Sequence, residues 1–83
     1  MGRSELSDGL VLLGKPGCHL CDDARAILER VGEPFADVNI ETDDALHRAY
    51  LERIPVVALD GQELYDFAVD EADLRSRLAR VSR

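Results

Sequence analysis

Cys18 and Cys21 are the two cysteines of an 83-residue chain, and they stand three positions apart in Lys15-Pro16-Gly17-Cys18-His19-Leu20-Cys21-Asp22-Asp23. The apolar run Leu10 to Leu13 precedes that stretch and an amphipathic segment, Ala24 to Val31, follows it. The pair therefore falls where a strand ends and the first turn of a helix begins. That turn presents backbone N–H groups without internal partners and carries roughly half a positive charge, so it favours a thiolate over a thiol. Cys18 is placed to receive this field. The thiolate is the species that attacks disulfides, and Cys-x-x-Cys motifs bring thiolate formation into a pKa range of roughly 3.5–7. Cys21, one turn further along the same face, can attack the resulting mixed disulfide and release the product. The chemistry expected is dithiol–disulfide exchange, with Cys18 attacking and Cys21 resolving.

The neighbouring side chains tune that exchange. His19, when protonated, favours the thiolate, so replacing it with alanine should leave the pair less oxidising. Lys15 acts in the same direction. Asp22 and Asp23 oppose it, but an exposed charge some 7 Å away is worth only about 0.6 kcal/mol in water. A structural pair or half of a metal site would use the same two residues. A mononuclear zinc site normally takes four ligands, and here there are two thiols, His19 and a distant His47, with no second Cys-x-x-Cys; no metal ligand is assigned. His47 reads as an exposed helix residue, and Tyr50 and Tyr65 as packing residues.

Ten basic residues against 17 acidic ones give a net charge of −7. That balance disfavours phosphate backbones and anionic membrane surfaces, so neither nucleic acid nor membrane is an expected partner. No apolar run approaches the roughly 20 residues that span a bilayer, and Met1 to Gly9 lacks the apolar core of a secretory signal. A cytoplasmic location is expected. In a reducing compartment a lone, close pair of cysteines is more often catalytic or metal-binding than a staple. With 46% hydrophobic residues, residues 1–83 suffice for one small domain, monomeric by default, with residues 1–8 as a loose lead-in.

The positioning elements follow from periodicity. Leu10-Val11-Leu12-Leu13 is the continuous apolar run of a strand covered on both faces, and Gly14, Pro16 and Gly17 make the loop after it. Ala24, Ile27, Leu28 and Val31 fall at i, i+3, i+4 and i+7 on one helical face, which Gly32 ends. Phe35 to Ile40 alternates as a strand, with Phe35 at its entrance. Thr42 is placed to cap a short helix whose first turn holds Asp43 and Asp44 and whose buried side is Ala45, Leu46, Ala49 and Tyr50. Ile54 to Leu59 forms a third strand with Pro55 near its start, Asp60-Gly61 a hairpin, and Glu63 to Asp66 a fourth strand. Asp70 caps a last helix that buries Leu74, Leu78 and Val81. The order βαβαββα, with a right-handed parallel crossover first, implies an α/β fold: a four-stranded mixed sheet with helices on both faces.

At Cys18-His19-Leu20-Cys21 and Ile54-Pro55-Val56-Val57, in this element order, the chain resembles the thioredoxin superfamily, and more closely a small glutaredoxin-like protein. The resemblance spans essentially the whole chain and implies a thioredoxin-like fold. It also implies a cis bond before Pro55, an Ile54 backbone offered to the incoming substrate, and Lys15 as the basic residue that could pair with a glutathione carboxylate. Glutaredoxins usually carry Pro-Tyr or Gly-Phe where His19 and Leu20 stand, and a glycine pair where this chain reads Leu64-Tyr65-Asp66-Phe67-Ala68-Val69-Asp70. The implied activity is reduction of protein or glutathione mixed disulfides, with no bound cofactor, glutathione as a co-substrate and an external reductase system restoring the dithiol. A non-catalytic redox sensor of the same fold, or a subunit-bridging iron–sulfur cluster carrier, would share these features.

Overall fold

A computed structural model describes residues 9–81; the lead-in expected for residues 1–8 and the packing expected of the Val81 side chain lie outside what is described. The elements are β1 (Leu10–Gly14), α1 (His19–Val31), β2 (Phe35–Asn39), α2 (Asp44–Tyr50), β3 (Val56–Leu59), β4 (Gln62–Asp66) and α3 (Glu71–Val81), with a 3-10 turn at Ile40–Thr42. The sheet runs β2-β1-β3-β4. β1 pairs with β2 in parallel, Leu10 opposite Phe35, and with β3 antiparallel, Leu13 opposite Val56. This is the mixed sheet expected, of thioredoxin-like architecture.

The two-faced strand β1 organises the core. Leu10 and Leu12 point into one cluster with Ala24 and Leu28 of α1 and Leu74 and Leu78 of α3. Val11 and Leu13 point into the other, with Ile40, Ile54 and Val56, against which Leu46 and Tyr50 of α2 pack. Burying each such aliphatic side chain contributes about 1.5–3 kcal/mol, and the alternation of β1 delivers it to both faces. Gly32 ends α1 at φ 86° with its N–H on Leu28 C=O. Asp60 (φ 52°) and Gly61 (φ 86°) turn the hairpin between Leu59 and Gln62. Asp70 caps α3 through Asp73 N–H at 3.0 Å.

Several boundaries, and the burial of α2, differ from what the periodicity implies. β1 runs on through Gly14, which is buried rather than looped out. β2 stops at Asn39, because Asn39 Oδ1 accepts Glu41 N–H at 2.9 Å and bends the chain into the 3-10 turn. The cap of α2 is Asp43, whose Oδ1 accepts Ala45 N–H at 2.8 Å and Leu46 N–H at 3.1 Å; Thr42 Oγ1 donates instead to Asn39 C=O. α2 has no fully buried residue and leaves Ala45 and Ala49 exposed. Ile54 and Pro55 precede β3 rather than belonging to it.

Candidate active site

Cys18 is the N-cap of α1, with extended backbone (φ −97°, ψ 113°). Its carbonyl accepts Asp22 N–H at 3.0 Å and its Sγ accepts Cys21 N–H at 3.3 Å. An orphan donor of the helix start is thus aimed at the sulfur, the contact that stabilises negative charge there. Cys18 is half-buried, whereas Cys21 is completely enclosed. Burial first, and then its hydrogen bond with Cys18, push the Cys21 thiol up to about 11 against the opposing pull of the Lys15 backbone. Desolvation penalises the charged form, so Cys21 keeps its proton at neutral pH.

Gly14 makes that enclosure fit. A Cβ there would lie 2.9 Å from Cys21 Sγ, closer than packed atoms tolerate, and a tight 3.1 Å from Cys21 Cβ. Beyond Gly14, Lys15 is partly exposed and lines a depression with Pro16, Arg25 and Asn39. Arg25 there holds Asp37 at 2.7 and 3.3 Å and Asp22 at 2.9 Å, tying the first turn of α1 to β2. His19 is exposed at the first residue of α1, and its side chain makes no hydrogen bond among the described residues.

The Ile54–Pro55 bond is cis, as the resemblance implies. Cys18 packs against the cluster that holds Cys21 and Ile54, so strand-end proline and cysteine pair share one corner of the molecule. Ile54 N–H donates to Tyr50 C=O at 3.1 Å, and Pro55 C=O accepts Phe67 N–H at 2.8 Å. Phe67 lies at φ 70°, a left-handed conformation that costs a non-glycine residue roughly 1–2 kcal/mol. Gly14 and Phe67 escaped the sequence reading. A glycine at a strand end reads equally as a loop, and no turn residue marks position 67. Among the described residues no group of three or more His, Cys, Asp or Glu side chains converges on one point, and no helix is long and apolar enough to cross a membrane.

A Cys-x-x-Cys pair at a helix start beside a cis-proline, on this sheet order, defines a protein of the thioredoxin fold. Residues 9–79 match the model of the glutaredoxin-like domain (DUF836), and the chain belongs to that family. It is similar to the structural-genomics target XcR50 from X. campestris, at 37% identity over 89% of this chain and 100% of that one, with a TM-score of 0.74. It is also similar to protein Ne2328 from Nitrosomonas europaea, at 28% identity over 93% and 98% of the two chains, with a TM-score of 0.69. The glutaredoxin from Archaeoglobus fulgidus shares the fold, with a TM-score of 0.62 at 19% identity over 92% of this chain and 96% of that one. A comparison with curated proteins finds no match.

Proposed function

We propose that this chain is a thiol–disulfide oxidoreductase that reduces protein or glutathione mixed disulfides in a reducing compartment such as the cytoplasm. The observation that carries the reading is the asymmetry of the pair: a half-exposed Cys18 Sγ that receives a helix N–H, and a buried Cys21 that holds its proton. The Cys18 thiolate attacks one sulfur of the substrate; the S–S bond breaks and the other sulfur leaves as a thiolate. Cys21 then gives up its proton to a departing thiolate and attacks Cys18 Sγ, forming the internal disulfide and releasing the second thiol. Two electrons have passed to the substrate, and glutathione or an external dithiol reductase must return them. Lys15, on the rim of the site, is the cation that would hold a carboxylate of glutathione, and the Ile54 carbonyl is the backbone group left for a substrate.

The test is turnover of a glutathione mixed disulfide, driven in parallel by glutathione with its reductase and by a thioredoxin-type reductase. Turnover in either system, abolished in Cys18→Ser, is expected. Oxidation of one pair per molecule without turnover would instead make the chain a redox sensor, and a coloured protein bleached by Cys18→Ser would make it a cluster carrier.

A further inference from the structure

Phe67 is anchored through its N–H to Pro55 C=O, yet 50% of its surface is exposed, and Leu20, between the two cysteines, is 48% exposed. Together with Ile27, Ala68 and Val69 they wall a shallow groove of about 220 Å³, in which Asp23 is the charged lining residue. Large apolar side chains exposed together beside a site are characteristic of a contact surface. A bulky residue kept in a sparsely populated backbone region points the same way.

Resting on the dithiol reading above, we propose that this groove docks a protein substrate. An apolar side chain adjacent to the substrate's reacting cysteine lies between Leu20 and Phe67, and a cationic side chain of the same extended segment meets Asp23. The volume suits one large side chain. The charge argument is local as well as global: Asp22 is paired with Arg25 and Asp70 accepts Asp73 N–H. The Asp23 side chain has no hydrogen bond or ion pair among the described residues, and the whole chain carries −7. Glutathione, with a carboxylate at each end and no large apolar side chain, satisfies neither the groove nor Asp23.

The test uses Cys21→Ser protein, or Cys21→Ala should the serine variant not fold, so that reaction stops at the mixed disulfide. Three probes are prepared, each with its cysteine capped by 2-nitro-5-thiobenzoate: a peptide with Phe-Cys-Lys at its centre, one with Gly-Cys-Glu, and glutathione. Cys18 forms a bond to the probe's cysteine sulfur, the probe's S–S bond breaks, and the coloured thiobenzoate thiolate leaves with the electron pair. Rates are normalised to those with a small free thiol. The Phe-Cys-Lys probe is expected to react about tenfold faster than either other probe, equivalent to about 1.4 kcal/mol. Phe67→Ser should reduce that preference, and Asp23→Asn should remove only the part owed to lysine.

Equal normalised rates, or glutathione reacting fastest, would overturn the docking proposal while leaving the dithiol reading intact. A preference that persists undiminished in Phe67→Ser would overturn it as well, because the apolar side chain would then be read elsewhere. Failure of every probe, and of the symmetric thiobenzoate disulfide, would remove the dithiol reading and the docking proposal together.

Discussion

A methyl group at position 14 would stand 2.9 Å from Cys21 Sγ, at a sulfur that is fully enclosed and cannot swing away. Gly14→Ala is therefore expected to destabilise the reduced protein by about 1–3 kcal/mol through overpacking, read from the urea midpoint. Adding Cys21→Ala should return part of the loss, because the sulfur is gone while the 3.1 Å approach to Cβ persists. A Gly14→Ala variant as stable as the parent would mean that the strand end yields more easily than its burial implies. The same enclosure separates the two thiols chemically. Iodoacetamide at pH 7 should place a single adduct on Cys18, because Cys21 is both inaccessible and protonated. Peptide mapping that found Cys21 modified at a similar rate in the native protein would remove the asymmetry on which the attacking and resolving roles rest.

Helix α2 has seven residues and no fully buried side chain, so its hold depends on its cap and on side-chain ties: Tyr50 Oη donates to Glu63 at 2.7 Å and the Arg53 guanidinium lies 5.3 Å over the Tyr50 ring. Asp43→Ala should cost about 1 kcal/mol and speed amide exchange in α2. It should also speed exchange of Ile54 N–H, whose acceptor is Tyr50 C=O, while α1 amides stay unchanged; unaltered exchange at Ile54 would show that the cap does not support the proline corner. Elements of this kind divide what the sequence can disclose from what it cannot. The apolar run of β1, the i, i+3, i+4, i+7 face of α1, Gly32 and Asp60-Gly61 are local signals, and each element forms where its signal lies. Thr42 and Asp43 are both capping residues, and the local bend at Asn39, whose carbonyl takes the Thr42 hydroxyl, decides between them. Seven residues are too few for periodicity to fix which side of α2 is covered. Phe67 adopts its left-handed backbone where its N–H reaches Pro55 C=O, a partner twelve positions away, and Gly14 matters through a sulfur on the following helix. Both constraints arise only once the sheet has formed.

Across the whole molecule, the buried thiol makes stability depend on alkaline pH in a defined direction. Cys21 is held at about 11 in the folded protein against an ordinary 9.0, chiefly by burial and then by its bond with Cys18. Between those values the unfolded chain has released a proton that the folded one keeps, so the unfolded state binds fewer protons and stability falls as pH rises. The contribution is complete below pH 9 and disappears as pH passes 11. A gap of this size corresponds to about 2–3 kcal/mol, a substantial share of the roughly 5–15 kcal/mol typical of a folded protein. Tyr65, raised to about 12 by burial and by its bond to Asp73, adds a second loss starting near pH 10, so the two must be separated. Urea unfolding of the reduced parent and of Cys21→Ala between pH 7 and 10.5 does this, because Tyr65 is common to both and cancels in the difference. The parent is expected to lose stability faster than the variant once pH exceeds 9. The oxidised protein, which has no thiol at Cys21, should follow the variant. Parallel curves for parent and variant would mean that Cys21 ionises as readily inside the fold as outside it, and both cysteines would then compete for the first attack.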